Sequence, residues 1–217
     1  LKANILYSYL NVCLELNQTD FDLFKEFIKL PRQKYYANVP YYQKSSQANE
    51  FIQYQKSFNN CILIPPLIAD EKLIETYLYK FIQKSGNTAE LQPYFEKYYF
   101  NKFEAETKIM TGLGKPEDFY SVLQPSDMEQ IKNSIEISFA PQNKKFHLVN
   151  DAVTLSLKIK NISDLEVQIY KLNMLDYYRL NNREINQEIS LEGYIPNITK
   201  KITYNQASIL KHEEQID

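Results

Sequence analysis

Asn150-Asp-Ala-Val-Thr-Leu-Ser-Leu-Lys-Ile-Lys-Asn161-Ile-Ser-Asp-Leu-Glu-Val-Gln-Ile-Tyr-Lys-Leu-Asn173 decides the fold class of this 217-residue chain. Val153, Leu155, Leu157 and Ile159 point one way; Thr154, Ser156, Lys158 and Lys160 point the other. After a short turn, Leu165, Val167 and Ile169 alternate with Glu166, Gln168 and Tyr170. A two-residue period belongs to a strand with one buried and one wet face. The stretch therefore predicts two neighbouring strands. The same rhythm predicts strands over 135–140 and 145–148, with shorter patterns at 184–191 and 200–204. A helical turn over 174–180 carries Tyr177, Tyr178 and Arg179, and the polar residues 211–217 read as a frayed tail.

Upstream of residue 133 the spacing is three to four, that of helices packed by one face. Ile5, Leu6, Tyr9, Leu10, Cys13 and Leu16 form one such stripe. Asp20 or Thr19 caps a second helix, with Phe21, Phe24, Phe27 and Ile28 inward and Pro31 after its end. Residues 32–46 read as a Tyr-rich loop, 47–57 as a short helix, and 58–69 as an extended connector through Pro65 and Pro66. Asp70 caps the clearest helix, whose inner face is Leu73, Ile74, Tyr77, Leu78, Phe81 and Ile82, with Gly86 as its stop. Asn87 or Thr88 opens the next, with Leu91, Phe95, Tyr98, Tyr99 and Phe103 inward. The short link between these two predicts a helical hairpin. Residues 117–123 read as a short helix after Pro116, and Ser126 to Glu129 as a capping box opening another through Asn133.

The fold class is thus α+β: an N-terminal helical segment of hairpins followed by an antiparallel β-sandwich-like domain. The expected division is 1–133, mainly α-helical, and 134–217, β-sandwich-like. A sandwich with so few strands is incomplete, and a chain that begins at Leu1 reads as a fragment of a larger multidomain protein. At 217 residues it can bury roughly 70% of its unfolded surface. A net charge of −2 gives no general field for nucleic acid or anionic membranes. No run approaches the ~20 apolar residues that span a bilayer. The apolar start lacks a basic lead and a small-residue cleavage site, so it is not read as a signal peptide.

Chemistry is scarce. Only Gly86, Gly112, Gly114 and Gly193 are glycines, too few for a phosphate cradle. The run Gly112-Leu-Gly-Lys-Pro116 lacks the leading Gly and the Ser or Thr of a phosphate loop, and reads as a helix stop. His147 and His212 are the only histidines, and no metal-ligand spacing occurs. Cys13 and Cys61 both read as small buried hydrophobes, with a disulfide between them left open. No nucleophile elbow is present. The carboxylate pairs Glu104/Glu106, Glu184/Glu188 and Glu213/Glu214 read as solvated surface. Asn17, Asn161 and Asn197 head glycosylation-type tripeptides, meaningful only in a secreted chain. With 18 tyrosines and no tryptophan, aromatic pairs stand out. Tyr35, Tyr36, Tyr41 and Tyr42, together with Tyr177, Tyr178 and Arg179, are candidate protein contacts, because tyrosine offers area with a polar tip. Arg32, Lys34 and Lys44 near the first pairs are too sparse a basic patch for single-stranded nucleic acid.

The strand pairs 150–161 and 165–173 resemble those of macroglobulin-like domains, fibronectin-type β-sandwiches of the α2-macroglobulin superfamily. The resemblance implies a structural module. The superfamily's Gly-Cys-Gly-Glu-Gln thioester motif is absent, so no reactive residue carries over.

The reading is a non-enzymatic structural or protein-interaction module. It has no cofactor or metal site, and its partner is another protein or another domain of the same polypeptide rather than nucleic acid. The rival is a ligand-binding or hydrolytic domain with a site in a cleft between the helical and β parts. That reading predicts a pocket lined by Glu, Tyr and Arg from both parts, with strongly shifted acids. A third is carbohydrate binding on an exposed aromatic platform.

Overall fold

Apolar residues recur on both sides of the first helix, α1 (Lys2–Glu15). Ala3, Leu6, Leu10, Cys13 and Leu14 are buried, while Leu1, Ile5, Tyr9, Val12 and Leu16 are exposed. The expected inner stripe is therefore split: Leu6, Leu10 and Cys13 enter the core, and Ile5, Tyr9 and Leu16 do not. Helix α2 (Phe21–Ile28) starts as expected, the Asp20 carboxylate accepting from the Leu23 amide at 2.9 Å. The computed structural model describes residues 1–42, 51–144, 146–183, 189–205 and 209–216, with the backbone alone at Tyr41 and Tyr42.

The Tyr-rich stretch is tethered rather than loose. Ala37 bridges Phe95, the Glu96 amide donates to the Tyr36 carbonyl at 2.8 Å, and a short helix α3 (Val39–Tyr42) follows. Residues 51–57 are not helical, and 47–50 lie outside the described residues. Helix α4 (Glu71–Ser85) ends at Gly86, whose φ of +64° is the left-handed stop that glycine adopts without strain. The next helix begins later than its hydrophobic spacing suggested. Pro93 donates no amide, so Gln92–Tyr94 makes a 3₁₀ turn, and α5 (Lys97–Met110) starts after Glu96, whose carboxylate accepts from the Tyr99 amide at 2.7 Å. Tyr98 consequently faces solvent instead of the core.

A turn at Gly112 and a 3₁₀ turn, Pro116–Phe119, lead to α6 (Pro125–Asn133). A Cβ on Gly114 would lie 2.5 Å from the Phe119 ring, so this close approach needs glycine. The box expected at Ser126 and Glu129 forms two residues earlier, at Gln124 and Asp127. Pro125 takes the first helical position, and Asp127 accepts from the Gln124 amide at 3.0 Å. Helices α1, α2 and α4 pack around Leu10, Phe24, Phe27, Tyr77 and Leu78, and a smaller cluster joins Ile109, Leu123, Met128 and Ile131. Cys13 is buried but Cys61 is exposed, and both are free thiols, which corrects the expectation that both are core residues.

The expected change of period is present, and the architecture is α+β with antiparallel sheets after the helices. Strands β1 (Glu136–Phe139), β2 (Leu155–Lys160) and β5 (Lys211–Ile216) form one sheet in the order β1-β2-β5. Strands β3 (Asp164–Ile169) and β4 (Ile198–Thr203) form another. The decisive stretch does hold two strands, but they do not pair with each other: β2 pairs with β1 and β5, and β3 with β4. The supposed tail is the edge strand β5. Residues 146–148 and 189–191 are not strand, while 145 and 184–188 lie outside the described residues. Helix α7 (Met174–Asn181) is the expected turn lengthened, its start held by Asn173 accepting from the Leu175 and Asp176 amides.

The chain forms two compact units, Leu1–Asn161 with Ala207–Asp217, and Ile162–Gln206. In the first, register places Glu136 and Ser138, Lys160 and Lys158, and Lys211 and Glu213 on one face of the sheet. That face was expected to meet water. It meets the helices instead: Lys160 is fully buried, and its ammonium donates to the Ile131 carbonyl, to the Ser134 carbonyl at 2.9 Å and to Ser134 Oγ at 2.8 Å. Among the described residues, no helix is long and apolar enough to cross a membrane.

Candidate functional site

Of the paired tyrosines, Tyr35 is 69% exposed and Tyr36 is buried. Tyr36 belongs to an internal polar knot. Its hydroxyl donates to Asp70 Oδ1, the Tyr54 hydroxyl donates to Asp70 Oδ2 at 2.8 Å, and Arg32 Nη1 donates to the same oxygen at 2.8 Å. Arg32 also donates to the Phe27 carbonyl and, at 3.2 Å, to the Leu30 carbonyl, while its guanidinium lies 4.6 Å from the Phe27 ring centroid. A cation thus closes the C-terminal end of α2, and its partner anion sits at the N-terminal end of α4, the arrangement both helix dipoles favour. Burial, and then the Asp70 charge, raise the Tyr36 and Tyr54 phenols well above their ordinary value. Lys34 pairs with Glu71 at 2.8 Å, so neither basic residue beside the first tyrosine pair is a free cation.

Tyr35 packs edge-on against Tyr36 and Tyr99, with centroids 5.4 and 5.8 Å away, and keeps its outer face open. The side chains of Tyr41 and Tyr42 lie outside what is described. Tyr177 is half-buried, Tyr178 and Arg179 are exposed on α7, and Arg179 lies 3.6 Å from Asp176. The outer stripe of α1, Leu1, Ile5, Tyr9, Val12 and Leu16, escaped the sequence reading. Its three-to-four spacing is visible there, but it is interleaved with the buried stripe and merges with it by eye.

A cleft of about 310 Å³ opens between α4, α5 and the charged face of the sheet. Helix α4 contributes Lys72, Glu75, Thr76, Tyr79, Lys80 and Gln83, and α5 contributes Phe103, Glu106, Thr107 and Met110. The floor is Lys158 from β2 with Lys211 to Glu213 from β5. Lysines stand where the sequence reading expected arginine. Burial lifts the carboxyls of Glu75 and Glu106 above the usual range. Burial, and then the Lys80 ammonium, lower the pKa of Lys158. Burial, with Glu136 and Glu213 nearby, pushes the Tyr79 phenol up to about 12. Lys211 crosses the sheet to pair with Glu136 and lies 5.9 Å from the Tyr79 ring centroid. Among the described residues, no cluster of His, Cys, Asp and Glu suits a metal ion.

Comparison with known proteins places this architecture. Residues 1–135 match the family model of the actin-binding protein F N-terminal domain, well over half the chain. The chain belongs to the actin-binding protein F family. Residues 165–217 match the model of the first immunoglobulin-like domain of that family. Among curated proteins, actin-binding protein F of Dictyostelium discoideum is 28% identical over the whole chain, and the chain spans 9% of that protein's length. No solved structure matches. The macroglobulin resemblance is thereby corrected: the strands that suggested it run into an immunoglobulin-like domain of actin-binding protein F, and short alternating strands are common to both sandwich types.

Proposed function

We propose that this chain is a non-enzymatic protein-interaction module whose partner is actin. The observation that carries the reading is the match of the whole chain to a protein named for actin binding. The contact surface proposed here is the outer stripe of α1, in which Ile5, Tyr9 and Val12 stand exposed, with Tyr35. Exposed apolar and aromatic residues along one helix suit the centre of a protein interface. Tyr177, Tyr178 and Arg179 on α7 are the second proposed contact, a grouping of the residue types that dominate binding energy. The division into a helical part, 1–133, and a β part, 134–217, is proposed as one of sequence modules. The spans of the two family models, 1–135 and 165–217, support it, although β1, β2 and β5 cluster with the helices as a compact unit.

The test is co-sedimentation of the chain with actin filaments. The chain is expected in the pellet, saturably. Ile5→Asp with Val12→Asp, both at exposed positions, is expected to weaken binding about tenfold or more. Tyr178→Ala with Arg179→Ala reports on the second surface. A chain that stays in the supernatant at every filament concentration overturns the reading.

A further inference from the structure

The cleft between α4, α5 and the sheet contains more positive charge than its own acids neutralise. Lys158 stands on the central strand, held by ladders on both sides, and the charges acting on it are the Lys80 ammonium, the Glu213 carboxylate and the Lys211 ammonium. Lys211 is paired with Glu136, but among the described residues neither Lys80 nor Lys158 makes an ion pair. Lysines ordinarily extend their stems so that the ammonium reaches water. These two are half-buried and share one recess. Three acids, Glu75, Glu106 and Glu213, line the same cleft. Glu106 pairs with Lys102 at 3.9 Å, and Glu75 accepts from the Tyr99 hydroxyl at 3.4 Å, so both have partners other than Lys80 and Lys158. Glu213, register partner of Lys158, is exposed.

A second, independent feature lines the same recess. Thr107 is fully buried on α5, and among the described residues its hydroxyl has no hydrogen-bond partner. A buried hydroxyl is normally satisfied, so this one, on a residue that lines the cleft, is a candidate partner for a ligand oxygen. The volume, about 310 Å³, lies at the small end of binding pockets. It suits one compact polar group.

We propose that this cleft binds a compact anionic group, a phosphate or a carboxylate, held by Lys80 and Lys158, with the Thr107 hydroxyl as a further hydrogen-bond partner. The group's charge fills the gap between the two ammoniums, and the fixed β2 backbone presents Lys158 without rearrangement. The site shares no residue with the proposed actin contacts, and the proposal does not depend on them.

The experiment is titration of the isotope-labelled chain, followed by amide shifts, with two probes: inorganic phosphate and an acetylated hexaglutamate peptide. Saturable shifts over 76–83, at 107 and at 158 with either probe support the site. Phosphate alone identifies a free anion, and the peptide alone identifies an acidic side chain. Lys80→Met and Lys158→Met are each expected to weaken the binding about tenfold or more, while Lys29→Met, on an exposed position of a distant helix end, leaves it unchanged. Lys80 lies on a helix surface, so its variant tests the site even if Lys158→Met perturbs the sheet. Absence of saturable shifts with both probes, or binding by Lys80→Met equal to the parent chain, overturns the proposal.

Discussion

The Asp70 carboxylate takes donors from Arg32, Tyr36 and Tyr54, and makes no capping bond to the helix it precedes. Removing water from such a group is expensive unless every lone pair finds a partner. Tyr36 is the partner most easily tested, because Phe keeps its shape. At neutral pH, Tyr36→Phe is expected to cost about 1.5–3 kcal/mol in urea unfolding, the range for a hydrogen bond to a charged group. It should also change the alkaline limb. The folded chain keeps the buried Tyr36 and Tyr54 phenols protonated at a pH where the unfolded chain, with ordinary phenols near 10, has lost those protons. The unfolded state then binds fewer protons, so the contribution of these phenols to stability is flat below about pH 10 and falls above it. Urea midpoints at about pH 8 and about pH 11 check this. An equally steep fall in Tyr36→Phe would mean that this phenol does not hold its proton through burial. Asp70 was legible as a helix-capping residue type at a helix start. The knot was not, because Arg32, Tyr36 and Tyr54 lie at positions that no period connects.

Among the elements, β2 joins the helical part to the sheet. Its alternation was read correctly, but not the direction of its polar face. Alternation says that Lys158 and Lys160 share a side, and not whether that side meets water or the end of a helix. Lys160 meets the last carbonyls of α6, where a cation is favoured by the dipole and all three ammonium protons are used. Asn161 adds a second closure there, donating to the Lys132 carbonyl at 3.2 Å. Lys160→Met keeps the stem and deletes the donors, leaving carbonyls buried without partners. It is expected to lower stability by about 1–3 kcal/mol and to speed exchange of the Ser134 amide, which bonds the Gln130 carbonyl at the end of α6. Unchanged unfolding and unchanged exchange would show that Lys160 does not hold the helix end. Strand β5 was missed for a related reason. Its run Lys-His-Glu-Glu-Gln-Ile has one apolar residue, and charge on an edge strand guards against stray pairing while looking, in sequence, like a solvated tail.

At the scale of the whole molecule, the order of strands along the chain decides which parts can exist alone. Chain leaving β2 at Asn161 makes the entire second unit before returning as β5, which pairs beside β2 with Lys160 opposite Lys211. The second unit is therefore an insertion between two strands that already touch. Its described residues include none that is buried, and its sheet has two strands, a number that is marginal without further packing. The first unit holds both apolar clusters, the Asp70 knot and the Lys160 closure. The first unit is therefore expected to fold without the second. Replacing residues 162–208 with a short Gly/Ser linker shortens a loop whose ends are adjacent, a change worth only about 0.6 kcal/mol for each halving of length. The shortened chain is expected to unfold in one cooperative transition, within about 1–2 kcal/mol of the parent chain, because insertions at such sites are tolerated in both directions. Calorimetry and the protection of β2 amides from exchange measure this. Loss of the cooperative transition, or exposure of those amides, would show that the sheet depends on the inserted unit and that the two fold as one.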